Sequence, residues 1–287
     1  MSSSNLEGME FATDAAGALP PAAPAIGHAC ATERTVRIFG VEVLDTTREQ
    51  AAAWIVRCAL QGLPAKVGFV NAHCINVMHG DVGYRHALDG LDRVFVDGIG
   101  MRIAALAAGV SLQANLNGTD LFPVMCRHAA AAGVGIYLFG AREGIAEAAG
   151  RRMAADVPGL IVSGTHHGYV NNAEAESGLI EQINASGAGI LLVALGVPSQ
   201  ELWIARNRHR LRPAVIIGVG GLLDFFSGRI PRAPLAIRNA GLEWAWRLAQ
   251  EPRRLAGRYL LGNVVFLARL LRERLRAPGN FSQHSAR

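Results

Sequence analysis

Six runs of apolar residues, at 67–70, 93–96, 135–139, 160–163, 190–195 and 215–219, alternate with Ala-rich segments of helical spacing near 99–108, 119–132, 143–155, 173–185 and 198–210. This alternation constrains the fold more than any other feature of the chain. A strand that is apolar along its whole length has no face to give to water, so helices must cover both sides of its sheet. Parallel neighbours also need long crossovers, which the intervening helices supply. The pattern therefore predicts an α/β fold, a mostly parallel sheet with helices on both faces. Upstream, 35–39 and 41–44 joined through Gly40 predict a hairpin, and Thr46 or Thr47 stands where a cap is needed for a helix running to about Leu60.

The last part of the chain breaks the pattern. Segments 233–250 and 253–276 are helical without intervening strands, and Pro252 separates them. Charge divides at nearly the same place. From Arg229 onward there are 12 Arg and three acids, Glu243, Glu251 and Glu273, a balance of 12 − 3 = +9. The whole chain holds 28 bases and 23 acids, so the first 228 residues carry 16 against 20, or −4. Lys66 is the only lysine, so the clustering of arginine is the signal rather than arginine itself. Such a cluster suits nucleic acid, a membrane surface or a phosphorylated substrate. Arginines interleaved with Leu, Val and Trp on helices favour a membrane or the chain's own active site, and no nucleic-acid partner is expected. Residues 259–271 are apolar but interrupted by Gly262, Asn263 and Arg269, too short and too charged to span a bilayer. Lying on a membrane and docking on its own domain both remain open for this segment.

Composition excludes other classes. With 51% apolar and 18% charged residues, 287 residues are ample for a substantial core and do not read as disordered. Cys30, Cys58, Cys74 and Cys126 are scattered without a CxxC pair and fit reduced thiols of a cytoplasmic protein. Residues 1–34, rich in Ala, Pro and Ser, lack the basic start and apolar core of a secretory signal and read as a flexible leader.

In a parallel α/β sheet, ligands bind beyond the carboxyl ends of the strands. The residues there are Asn71-Ala-His-Cys-Ile-Asn76, Asp97-Gly-Ile-Gly100 with Asn117-Gly-Thr-Asp120 further on, Gly140-Ala-Arg-Glu-Gly144, Thr165-His-His-Gly-Tyr169, Gly196-Val-Pro-Ser-Gln-Glu201 and Gly218-Val-Gly-Gly-Leu-Leu-Asp224. They predict one large cleft. Residues 140–144 and 218–221 each open a helix, where free N–H groups and the dipole favour a phosphate. Neither fits G-x-G-x-x-G or the P-loop, and a tight turn is the plainer explanation of each. Asp97 suits a general base, with a helix N-cap as the competing role. His73 is a rival base or a hydrogen-bonded structural residue. His166-His167 lacks a third metal ligand at useful spacing, and no Asp-x-Asp pair stands ready to hold a divalent ion against a diphosphate. No metal and no cofactor are expected.

From about Val67 to Tyr259 the chain resembles the WecG/TagA/CpsF glycosyltransferases, glycosyltransferase family 26. The matching blocks are Asp97-Gly-Ile-Gly100, Asn117-Gly-Thr-Asp-Leu121, Gly168-Tyr169, Gly196-x-Pro-x-Gln-Glu201 with Trp203, Gly228-Arg-Ile-Pro-Arg-Ala-Pro234, Gly241-Leu-Glu-Trp-Ala-Trp-Arg-Leu248 and Glu251-Pro-Arg-Arg-x-x-x-Arg-Tyr259. The resemblance implies a Rossmann-like catalytic domain at 35–228 and a membrane-associating helical appendage at 229–287 that helps complete the active site. It implies an inverting, metal-independent transfer of a sugar from a UDP-sugar to a sugar linked to a polyprenyl diphosphate. The place of work is the inner face of the bacterial plasma membrane, in building envelope or exported polysaccharides. The family's base falls on Asp97, with Asn71 and His73 beside it. The Gln and Asp of the nucleotide end fall on Gln200 and Asp224, and the arginines meeting the diphosphate on Arg247, Arg254 and Arg258. Asn117, Thr119, Asp120, Gly140 and Glu201 are further expected substrate contacts, and a homo-oligomer through the core domain is an open partner.

Two departures accompany the resemblance. Phe69-Val-Asn71 stands where many relatives carry Thr-x-Asn, and Asn115-Leu-Asn-Gly-Thr-Asp120 where many carry Arg-x-x-Gly-x-Asp. A hydroxyl and a guanidinium are thus missing from positions expected to face the active site, which keeps His73 in play as a second polar contact or alternative base. Asn71-Ala-His-Cys resembles members in exopolysaccharide clusters and tilts the expected donor toward a hexose such as UDP-glucose, with UDP-N-acetylmannosamine or its uronic acid as the alternative. A nicotinamide oxidoreductase would instead need G-x-G-x-x-G after the first core strand.

Overall fold

A computed structural model of the chain describes residues 34–276 and 283–285; the leader expected at 1–34 lies, but for Arg34, outside the described residues. The described chain opens as the hairpin β1 (Arg34–Ile38) and β2 (Val41–Asp45), paired antiparallel with Val36 opposite Val43. Its turn needs two left-handed residues, Phe39 at φ 54° and Gly40 at φ 77°. Thr47 is the residue that caps α1 (Arg48–Leu60), in a capping box with Gln50.

The alternating part follows as β3 (Ala65–Val70), α2 (Ala72–Met78), α3 (Val82–Asp89), β4 (Arg93–Val96), α4 (Ile99–Ala107), α5 (Gly118–Ala132), β5 (Ile136–Gly140), α6 (Ile145–Asp156), β6 (Val162–His166), α7 (Ala173–Ala185), β7 (Ile190–Ala194), α8 (Ser199–Asn207), β8 (Val215–Gly218) and α9 (Leu222–Phe226). All six strand runs expected from the sequence pair in one sheet of order β4-β3-β8-β7-β5-β6, every neighbouring pair parallel. The fourth strand lies two residues later than its apolar run, because Leu160 packs into the core ahead of it. Helices α2 and α3 were not anticipated. They are short, and Asn71 and Asp81, which cap them, read in sequence as strand-end or turn residues.

Side chains alternate across the sheet as the pleat requires. Ile136, Leu138, Leu192 and Ile217 face one layer, with Met125, Ala129 and Ala149 of α5 and α6. Tyr137, Phe139, Leu191 and Ile216 face the other, with Leu179, Ile183 and Trp203 of α7 and α8. The α/β architecture with helices on both faces is thereby the one the sequence pattern predicts.

Beyond α9 the chain is helical: α10 (Leu235–Asn239), α11 (Glu243–Gln250), α12 (Pro252–Ala256), a π-helical turn (Gly257–Leu261) and α13 (Gly262–Arg276). A single helix over 233–250 does not form, because Gly241 turns the chain at φ 72° between α10 and α11. The strand β9 (Gln283–Ser285) returns to pair antiparallel with β1. Phe266 and Leu270 of α13 are buried among Val70, Cys74, Met101 and the hairpin, with the Phe266 ring 5.4 Å from that of Phe39. Leu260, Val264, Leu267, Leu271 and Leu275 are exposed. The segment thus docks by one stripe and leaves a second apolar stripe uncovered. Among the described residues, no helix is long and apolar enough to cross a membrane.

Candidate active site

Because the six strands run the same way, their carboxyl ends share one edge. The chain leaves β3 toward the β4 edge and β5 toward the β6 edge, so strand order reverses in mid-sheet, where α/β proteins bind ligands. A cleft of about 1570 Å³ opens there, walled by the strand ends and by the helices after residue 228.

Asp97 sits at its floor. Its backbone N–H donates to the carbonyl of Val70 at 2.9 Å, fixing the ends of β4 and β3 side by side. Asn71 works in two directions. Its Oδ1 caps α2 by accepting from the N–H groups of His73 and Cys74, and its Nδ2 is left to donate to Asp97 Oδ2 at 3.2 Å. The competing N-cap role of Asp97 is not realised: Gly98 is the cap residue of α4, with no side-chain hydrogen bond, and its N–H donates to Asn115 Oδ1. Burial pushes the Asp97 carboxyl above the usual carboxylate range, against the hydrogen bond from Asn71 and the charges of Arg247 and Arg258. His73 shares this wall. Burial first, then Arg258, pushes its imidazole down to about 4, so the ring is neutral near pH 7.

Asn117, Thr119 and Asp120 also line the cleft and form a closed unit at the start of α5. Asn117 Oδ1 accepts from Thr119 Oγ1 and the Asp120 N–H, and its Nδ2 donates to Asp120 Oδ2. Asp120 is further engaged by Arg232 at 2.5 Å, Arg238 at 3.3 Å and Arg48 at 3.4 Å. Burial alone would raise its pKa; the hydrogen bond and charge of Arg232, with Asn117 and Arg48, hold it below the usual range instead.

Gln200 faces the cleft, while Glu201, its neighbour on α8, does not: it is buried behind it. Gln200 Nε2 donates to Glu201 Oε1 at 2.8 Å and Gln200 Oε1 accepts from the Gly220 N–H at 2.7 Å. Burial pushes the Glu201 carboxyl up to about 7. The expected substrate contact by Glu201 is corrected to a contact with Gln200. Gly140 is corrected likewise. At φ 128° it is pressed onto β7, where a Cβ would stand 2.4 Å from the Ala194 carbonyl oxygen, and Ala141 and Arg142 take its place in the wall. Residues 218–221 form a tight turn packed on Gln200. The His166 and His167 rings lie 4.5 Å apart, tilted by 49°, and the His166 ring bonds the His167 carbonyl.

The opposite wall is cationic. Arg247, Arg254 and Arg258 line the cleft, with Arg247 4.9 Å over the Phe225 ring. The π turn carries Arg258 and Tyr259. Asp224, at the cleft, pairs with Arg229 at 2.8 Å; Arg229 reaches Glu251 at 3.7 Å, and Glu251 in turn pairs with Arg254. Glu243 also faces the cleft, its carboxyl raised mainly by burial. The sequence reading gave no role to Arg48, Arg229, Arg232, Arg238 or Glu243. Four of these lie inside blocks it had already matched or in the tail it had counted, so clustering was a usable signal. Arg48 had none, since only the fold brings α1 to Asp120.

The family model described as glycosyl transferase WecG/TagA/CpsF family matches residues 36–280. Two relatives, from Bacillus spizizenii and Bacillus subtilis strain 168, are each named N-acetylglucosaminyldiphosphoundecaprenol N-acetyl-beta-D-mannosaminyltransferase. The first is 33% identical over 171 residues, 60% of this chain and 65% of the relative; the second is 30% identical over 194 residues, 68% and 75% respectively. The chain thus spans just under two thirds of the first relative's length and three quarters of the second's. With a match running from the hairpin through the arginine-lined helices, the chain belongs to the WecG/TagA/CpsF family of glycosyl transferases.

Proposed function

We propose that the protein is an inverting, metal-independent glycosyltransferase that moves a hexose from a UDP-sugar to a sugar linked to a polyprenyl diphosphate, in polysaccharide assembly at the inner face of a bacterial plasma membrane. The observation that carries the reading is Asp97, a half-buried carboxylate at the cleft made more basic than usual, held by Asn71 and under the influence of Arg247 and Arg258. In this reading an acceptor hydroxyl oxygen bonds the anomeric carbon as the bond from that carbon to the UDP oxygen breaks. UDP leaves with the electron pair, and Asp97 takes the hydroxyl proton. A base raised toward neutrality suits that task better than an ordinary aspartate. The charge growing on UDP is met by guanidinium groups of the cleft wall, which hydrogen-bond phosphate oxygens strongly.

A hexose such as glucose is the favoured donor, because Asn71-Ala-His-Cys74 resembles members in exopolysaccharide clusters. N-acetylmannosamine, or its uronic acid, is the second reading, supported by the names of both relatives. The test is a radiolabelled transfer screen with UDP-glucose, UDP-N-acetylmannosamine and its uronate against lipid-linked acceptors. Transfer from one of them that is lost in Asp97→Asn supports the reading; equal turnover by Asp97→Asn removes the base.

A further inference from the structure

We propose that Arg48 and Arg238, gathered with Arg232 around Asp120, form a second anion site on the cleft, for a diphosphate group, distinct from the wall of Arg247, Arg254 and Arg258. Three guanidinium groups meet Asp120, and Glu243 also acts on Arg232, so cations outnumber acids by one with Glu243 ionised and by two with it protonated. Arg232 makes the short contact and is enough to neutralise Asp120. Arg48 and Arg238 stand farther off, line the cleft, and keep 46% and 27% of their side chains exposed. Each guanidinium carries five donors; Arg238 donates one to Asp120, and Arg48 is paired with it by charge at 3.4 Å. Buried Nε of Arg238 has no hydrogen-bond partner.

Two cations facing the same opening repel one another, and Arg232 already fastens the later helices to α5. A dianion between them relieves the repulsion and uses the spare donors. Guanidinium forks match phosphate oxygens in pairs, and an anionic group answers the positive surplus. The N-terminus of α5, a 15-residue helix, adds partial positive charge at the same spot. Asn115, neutral and spent on the Gly98 N–H, adds no charge to the cleft lining. The diphosphate is either that of the donor UDP or that of the lipid-linked acceptor; naming these sources rests on the glycosyltransferase reading, whereas the site itself does not.

The test titrates inorganic pyrophosphate into the full chain by calorimetry, in an Arg247→Gln/Arg254→Gln background that weakens the other cationic wall. That background should still bind pyrophosphate, and adding Arg48→Gln with Arg238→Gln should weaken binding about tenfold or more, the loss expected for charged hydrogen bonds. Unchanged affinity on adding the two substitutions overturns the proposal, as does a lowered melting temperature with no change in affinity, which would mark a purely structural cluster. Arg48→Gln alone, at an exposed position, guards against loss of fold. In transfer assays, the single variants should raise KM for one substrate, UDP-sugar or lipid-linked acceptor, and so name the source; equal KM values for both substrates also overturn it. Pyrophosphate binding without any transfer by the wild type would count against the proposed activity while leaving the anion site supported.

Discussion

Asp97 is poised by opposing influences, and each can be removed singly. Burial raises its pKa, while Asn71, Arg247 and Arg258 lower it. Asp97→Asn keeps the shape and removes the base, so transfer should fall roughly 10²–10⁴-fold while UDP binding by calorimetry stays near wild type. Activity should also rise with pH through the Asp97 pKa. Removing a positive neighbour raises that pKa, so Arg258→Gln should move the acidic limb of kcat/KM to higher pH. Asn71→Ala should move it the same way, with about 1 kcal/mol of added instability from uncapping α2. His73→Gln should leave activity near pH 7 little changed, because an imidazole pushed down to about 4 is already neutral there. A limb that follows His73 and ignores Arg258 would transfer the base role to the histidine.

Helix α8 shows how one element serves two environments. Successive helix residues point about 100° apart, so Gln200 meets the cleft while Glu201 meets the core. With a folded pKa of about 7 against an ordinary 4.5, Glu201 keeps its proton in the folded chain over a range where the unfolded chain has lost it. The unfolded state then binds fewer protons, so stability falls as pH rises from about 4.5 to 7 and levels off above. The fall attributable to Glu201 is about 3 kcal/mol. Glu201→Gln should flatten that part of the melting-temperature profile; an unaltered slope would show that other groups produce it. The same geometry explains what the sequence could and could not tell. The parallel sheet was legible because doubly covered strands must be continuously apolar, and Asp97, Asn71 and Gln200 were legible because strand order puts strand ends on one edge. Glu201 was misread because adjacency in sequence was taken for adjacency in space. The Asp120 cluster was hidden because its Arg238 partner lies 118 residues away, a meeting that periodicity does not encode.

At the scale of the molecule, the charge division of the chain becomes a spatial one. The acidic-leaning part supplies Asp97 and the sheet, and the arginines after residue 228 are shared between the cleft wall and an outer surface. Leu260, Val264, Leu267, Leu271 and Leu275 recur at intervals of four, three, four and four, the spacing of one helix face, and all five are exposed. Phe266 and Leu270, between them in sequence, hold the opposite face to the body. Arg272 and Arg274 are exposed on α13 beside this face, and Arg253 is exposed on α12 just ahead of it. An apolar stripe edged by cations is the arrangement that seats a helix in the headgroup region of an anionic bilayer. The full chain should therefore bind vesicles containing phosphatidylglycerol, with binding weakened by salt. Replacing Arg253, Arg272 and Arg274 by Gln should remove roughly 1 kcal/mol each, about a hundredfold together. Val264→Ser with Leu271→Ser should weaken binding at every salt concentration, because apolar transfer is not screened. In both variants, transfer to a vesicle-borne acceptor should fall while transfer to a short-chain, water-soluble acceptor is kept, since Arg253, Val264, Leu271, Arg272 and Arg274 do not line the cleft, whereas Leu267, left unchanged, does. Equal losses on both acceptors would mean that this helix face supports the active site itself rather than a membrane.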